Sequence, residues 1–92
     1  MSSASRNPTN RFYQMAVDRL IEARKAKSWS QYDLAKAWKR HQSIIAKVET
    51  GQRRLELIEF IDLCVILDID PAPLIAQIHN TMGGKVENER VA

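Results

Sequence analysis

A lone cysteine, Cys64, leaves no internal disulfide to hold the fold. It lies in an apolar run and reads as a small buried side chain rather than a reactive thiol. Nowhere do eighteen apolar residues follow one another, so no stretch is built to span a membrane. The first twenty residues lack the apolar segment of a signal peptide, and nothing points to export. Histidine occurs only twice, and no metal-ligand spacing, nucleophile–base pair or phosphate-cradling glycine loop is present. An enzyme is therefore not expected, and neither a cofactor, a metal nor a catalytic residue is assigned. Period-two strand patterns, internal repeats and low-complexity blocks are missing too. With 92 residues the chain makes one domain. A domain of that size buries only about 60–65% of its unfolded surface, so the core is modest and self-association would help.

Charge is abundant but unevenly placed. Residues 1–29 hold Arg6, Arg11, Arg19, Arg24, Lys25 and Lys27 against Asp18 and Glu22, a net +4. Residues 30–54 hold Lys36, Lys39, Arg40, Lys47, Arg53 and Arg54 against Asp33 and Glu49, again +4. Residues 55–79 contain no Lys or Arg and five acids (Glu56, Glu59, Asp62, Asp68, Asp70). Residues 80–92 are neutral, with Lys85 and Arg90 balancing Glu87 and Glu89. Charges that merely solvate a surface explain the cations but not their segregation. The division suits a polyanion on one side of the molecule and repulsion from it on the other.

The apolar spacing predicts five helices and an all-α fold. Residues 1–9 are small and polar and read as a flexible arm. A first helix from about Asn10 to Lys27 carries Tyr13, Ala16, Val17, Leu20, Ile21 and Ala23 on one face, with Arg24 close to it. Ser30 is a natural N-cap, and Asp33 completes a capping box. Trp29 and Leu34 stand where a hydrophobic staple sets the direction of the chain. The second helix then runs from Gln31 to about Trp38 and the third from Gln42 to Thr50, with Gly51 as a left-handed cap. A fourth helix shows Leu57, Phe60, Ile61, Cys64 and Leu67 on its core face. Asp70-Pro71 starts a fifth helix that ends near His79. The domain proper is residues 10–79, with a flexible tail over 80–92.

Helix three divides at about 100° per residue. Ile44, Ile45, Val48 and Glu49 fall on one side; Ile44 could touch a thymine methyl, but its place beside Val48 favours core packing. Gln42, Ser43, Ala46, Lys47 and Thr50 fall on the other, a polar set without acids. A glutamine amide can pair bidentately with adenine in the major groove, and a lysine can reach a guanine edge or a phosphate. Glu49, on the inward side, needs a cation, because an unpartnered buried carboxylate costs several kcal/mol. Arg24 is the long cationic side chain near the core face of helix one.

Ser30-Gln31, Leu34-Ala35, Ile45, Val48-Glu49 and Gly51, with Arg24 upstream and Leu63-Cys64, Leu67 and Ile69 downstream, resemble the helix-turn-helix of Cro/CI-type repressors, the XRE family. The likeness extends from about Val17 to Leu74. It implies a compact five-helix, lambda-repressor-like domain in which helix three recognises duplex DNA. It implies that Gln42, Ser43 and Lys47 read bases and that Gln31 binds a backbone phosphate. It also implies that Arg24 and Glu49 form an ion pair tying helix one to helix three. Lys39, Arg40, Arg53 and Arg54 are further phosphate candidates, and His41 reads as a solvated or capping residue. Two glycines usual in the family are replaced here, by Ser28 before helix two and by Lys39 between helices two and three. Each substitution implies either a strained positive φ or a re-angled turn.

The expected function is sequence-specific DNA binding by a transcriptional regulator, a repressor that reads a palindromic operator as a homodimer. The resemblance implies a bacterial or phage-encoded chain acting in the cytoplasm. Ile58, Val65, Ile66 and Ile75 exceed what the core needs and suit a two-fold contact. The alternative is an antitoxin or small helical interaction module whose main partner is a toxin or other protein.

Overall fold

The computed structural model describes residues 11–84. The expected arm over 1–9 and the part of the expected tail beyond residue 84 lie outside the described residues. Five helices follow one another: α1 (Arg11–Ala26), α2 (Gln31–Trp38), α3 (Gln42–Thr50), α4 (Leu57–Ile66) and α5 (Pro71–Met82). No strand occurs among the described residues. The second and third helices match their expected spans, the first ends within a residue of its expected end (its expected start, Asn10, lies outside the described residues), and α4 falls where the fourth was expected. The fifth continues three residues past its expected end, so Asn80–Met82 belong to the helix and not to the tail.

Local chemistry explains these limits. The Ser30 hydroxyl accepts from the Asp33 backbone N–H at 3.0 Å, and the Asp33 carboxylate accepts from the Ser30 N–H at 2.8 Å. The bond from the Ser30 N–H to the carboxylate, with the Ser30 side chain adding to it, favours the ionised acid and lowers its pKa. The Asp70 carboxylate accepts from Ala72 N–H at 3.0 Å, and Pro71 fills the first helical position. Gly51 ends α3 at φ 87°.

α2 packs chiefly on α3 and also on α4, while α1 packs on α5 and α3. Their shared core holds Leu20, Leu34, Trp38, Ile45, Leu63 and Cys64, and Ile44 packs against it from α3. Three positions differ from the sequence reading. Leu57, expected on the core face, is 70% exposed, because it is the first residue of α4 and the buried stripe begins at Phe60 and continues through Leu63, Cys64 and Leu67. Ile66, expected to point away from the core, packs partly against it. Phe12 is buried on α1 although the sequence pattern did not single it out.

The two turns without glycine keep the left-handed backbone. Ser28 has φ 60° and Lys39 φ 63° with ψ 41°, and Asp68 joins them at φ 60°. The turns are not re-angled. They are closed by backbone bonds in the ordinary way, Arg40 N–H donating to Ala35 C=O at 2.9 Å and Trp29 N–H to Arg24 C=O at 3.1 Å. A Cβ in that region costs about 1 kcal/mol. Ser28→Gly should therefore raise the stability measured by urea unfolding by about 1 kcal/mol. An unchanged or lower midpoint would mean that Ser28 makes a compensating contact.

Candidate nucleic-acid interface

The helical period sorts α3 as the sequence analysis expected. Ile45 and Val48 are buried, Ile44 is half-buried, and Gln42, Ser43, Lys47 and Thr50 are exposed. The Thr50 hydroxyl donates back to the Ala46 carbonyl at 3.0 Å, which turns it toward its own helix. No acid stands on this outer side.

Glu49 sits at the inner edge and organises the site. Arg24 Nε donates to Glu49 Oε2 at 2.8 Å and Arg24 Nη2 to Oε1 at 3.0 Å, a bidentate fork. Both side chains are about nine-tenths buried, at 10% and 11% exposure. Arg24 Nη1 also donates to the Trp29 carbonyl at 2.7 Å, so one guanidinium fixes α3 to α1 and pins the turn before α2. Gln31 extends the chain outward. Its Nε2 donates to Glu49 Oε1 at 2.9 Å, and its Oε1 accepts from Gln42 Nε2 at 2.8 Å. A continuous line of hydrogen bonds thus runs from the buried pair to the surface amide of Gln42. That amide keeps a free carbonyl oxygen and one N–H, the two groups a bidentate contact requires.

The other named residues lie around α3. Lys39 ends α2 and is exposed. Arg54 is exposed, its guanidinium 4.9 Å from the ring centre of Tyr13, whose hydroxyl accepts from Leu55 N–H at 2.9 Å. His41 stands at the N-cap of α3, exposed and without a side-chain capping bond. Arg40 and Arg53 are only partly solvated, because each reaches Glu59 on α4. Arg53 Nη1 and Nη2 donate to Oε1 and Oε2 at 3.2 and 2.9 Å, and Arg40 Nη1 lies 3.5 Å from Oε2. Glu59 also accepts from Glu56 N–H at 3.0 Å. Sequence reasoning had counted Glu59 only as one of the acids. Its partners stand 6 and 19 residues back, outside any helical period, and leave no local signal.

The hydrogen bonds from Arg53, then that from the Glu56 backbone, with Arg40 adding to them, hold the Glu59 carboxyl at about 2 against an ordinary 4.5. A second feature missed from sequence is a groove of about 570 Å³ between α2 and α3. Tyr32, Lys36, Lys39, Arg40 and His41 line it together with the start of α3, and no acid does. Tyr32 and Lys36 stand at i and i+4 of α2, with Lys39 at its C-cap, a pattern that was readable.

Among the described residues no group of His, Cys, Asp and Glu side chains is set to hold a metal ion. No helix there is long and apolar enough to cross a membrane. Two exposed short helices in fixed register, a cationic flank and an acid-free outer face define a helix-turn-helix. The helix-turn-helix family model matches residues 20–74. The chain belongs to the XRE family of helix-turn-helix proteins, which are DNA-binding transcription regulators. A solved structure similar to it is an XRE-family like protein from Pseudomonas syringae pv. tomato str. DC3000, 39% identical, with a TM-score of 0.71 over 78% of this chain and 90% of that one. No curated protein matches the chain.

Two stability predictions follow from this geometry. Arg24→Ala leaves the Glu49 carboxylate buried with only Gln31 to solvate it, and should cost about 3 kcal/mol in denaturant unfolding. A loss below about 0.5 kcal/mol would class the pair with surface ion pairs. Glu59→Gln should cost about 1–3 kcal/mol near neutral pH. Because the folded pKa of Glu59 is depressed, its contribution is complete above about pH 4.5 and fades as pH falls toward 2. The stability gap between wild type and Glu59→Gln should close over that window. A gap that stays constant down to pH 2 would contradict the assignment.

Proposed function

We propose that the chain is a repressor that binds a palindromic duplex DNA site as a homodimer, with α3 lying in the major groove. The observation that carries this reading is the outer side of α3. Gln42, Ser43 and Lys47 are exposed together on a face without acids, and the Gln42 amide is held by Gln31, which Glu49 holds in turn. Gln42 would pair with adenine through its free carbonyl oxygen and remaining N–H. Lys47 would reach a guanine edge or a phosphate, and Ser43 would accept or donate as the base requires. Gln31 retains one amide N–H for a phosphate at the start of α2, where the helix end favours an anion. Lys39, Arg40, Arg53 and Arg54 would add phosphate contacts on both flanks, setting register and most of the affinity.

The dimer reading rests on α4 and α5. Leu57, Ile58, Val65 and Ile75 are exposed. A groove of about 600 Å³ between the two helices is lined by Leu57, Phe60, Ile61, Ile75 and Ala76 among others, with no Lys, Arg, Asp or Glu in its wall. Two copies joined through this face would present two recognition helices to half-sites about 34 Å apart. A toxin or other protein on the same face is the competing reading. A dimer by analytical ultracentrifugation of the isolated chain supports the first, and a strict monomer at micromolar concentration favours the second.

Selection of bound duplexes from random DNA should return a palindrome. Affinity for it should fall steeply with salt, and Lys47→Ala should flatten the log–log slope by about 1. Gln42→Ala should relax base preference at one position of each half-site, by about 1–3 kcal/mol, and leave nonspecific binding nearly intact. Equal loss on all sequences would refute its base-reading role, and no enriched duplex at any salt would refute the DNA reading as a whole.

A further inference from the structure

Arg40 lies two residues before α3 and Arg53 three residues after it, so these two cations bracket the helix in sequence. In space both meet at one carboxylate. Glu59, 9% exposed on α4, takes the two-pronged fork of Arg53 at 2.9 and 3.2 Å and lies 3.5 Å from Arg40. The carboxylate is itself oriented by the Glu56 N–H at 3.0 Å. Arg40 is held from a second direction, its guanidinium 4.1 Å from the ring centre of Trp38. That indole in turn lies within hydrogen-bonding reach of Asp62, one helical turn from Glu59, with Nε1 donating at 3.3 Å. The loops at both ends of α3 are thus fastened to α4 through one acid.

A guanidinium has five N–H donors, and the fork to Glu59 uses two of those on Arg53. The remaining donors are free to face a phosphate, and both arginine side chains stay about one-third exposed, at 37% for Arg40 and 35% for Arg53. An arginine backed by a carboxylate in this way has lost much of its rotamer freedom before any ligand arrives.

We propose that Glu59 is a positioning residue for DNA recognition. It touches no DNA, but fixes Arg40 and Arg53 at the two ends of α3, so that the phosphates they hold set the depth and tilt of that helix in the groove. The proposal rests on the DNA-binding reading above. It has a signature that a purely structural role lacks. Replacing the acid by its amide removes one negative charge beside two arginines, which favours any duplex. The same change loosens both arginines, which harms only the registered complex. Specific and nonspecific affinity should therefore move apart.

The test compares full-length wild type and Glu59→Gln on two duplexes, one carrying the selected site and one of unrelated sequence, at several salt concentrations. Circular dichroism and thermal melts establish the folded fraction. The expected result is a ratio of specific to nonspecific affinity that falls about tenfold, the size of one good base contact, with nonspecific affinity equal or higher. Parallel loss on both duplexes, or no change in the ratio, overturns the proposal. Should Glu59→Gln fail to fold, Glu59→Asp decides: it keeps the charge but draws the carboxylate back from both arginines. A lower ratio at an unchanged nonspecific salt slope supports the positioning role, and an unchanged ratio overturns it. A wild-type chain that binds duplex DNA but prefers no sequence overturns both the inference and the base-reading function. A preference that survives in Glu59→Gln overturns the inference alone.

Discussion

The buried fork between Arg24 and Glu49 is the constraint on which the rest of the site depends. A carboxylate on the inner edge of a nine-residue helix would be a liability alone, and such a helix has little stability of its own. Paired at 2.8 and 3.0 Å, the acid becomes the point where α1, the α1–α2 turn, α2 and α3 meet. The apolar side of α3 supplies burial through Ile45 and Val48, which is nondirectional. The fork supplies direction, because a bidentate geometry tolerates little rotation. One side of α3 is thereby held inward, and the acid-free side stays in solvent.

A second carboxylate, Glu59, treats the flanks of the same helix as Glu49 treats its body. One ties α3 to α1 and α2, and the other ties the segments around α3 to α4. Both acids are partnered by arginine rather than lysine, which suits planar two-pronged recognition at partly desolvated positions. The acidic stretch of the chain is therefore not only a surface turned from a polyanion. One of its acids is spent internally on holding cations from the basic stretch, and the net charge that remains outward around α2 and α3 is positive.

Helix order and most limits were legible because those boundaries have a local chemical cause. Ser30 with Asp33, Gly51, and Asp70 with Pro71 are short-range devices, and a short-range device is visible in a single sequence. The sides of α3 were legible for a similar reason, since the period alone separates Ile45 and Val48 from Gln42 and Lys47. Leu57 misled because periodicity counts a residue at the end of a helix as if a neighbour lay opposite, and none does. Glu59 stayed hidden because its partners lie 19 and 6 residues away on segments of no regular period. The backbone at Ser28 and Lys39 was a choice between strain and a new turn. The turns were kept and about 1 kcal/mol of strain accepted at each, at Ser28 between α1 and α2 and at Lys39 between α2 and α3.

On the proposed reading, the outer side of α3 enters the major groove of two successive half-sites. Chemical interference tests this most directly. Methylation of guanine N7, which lies in the major groove, should block binding in two patches about 34 Å apart on one face of the selected duplex. Methylation of adenine N3 in the minor groove between them should be tolerated. Interference confined to the minor groove, or a single patch without a symmetric partner, would contradict the account.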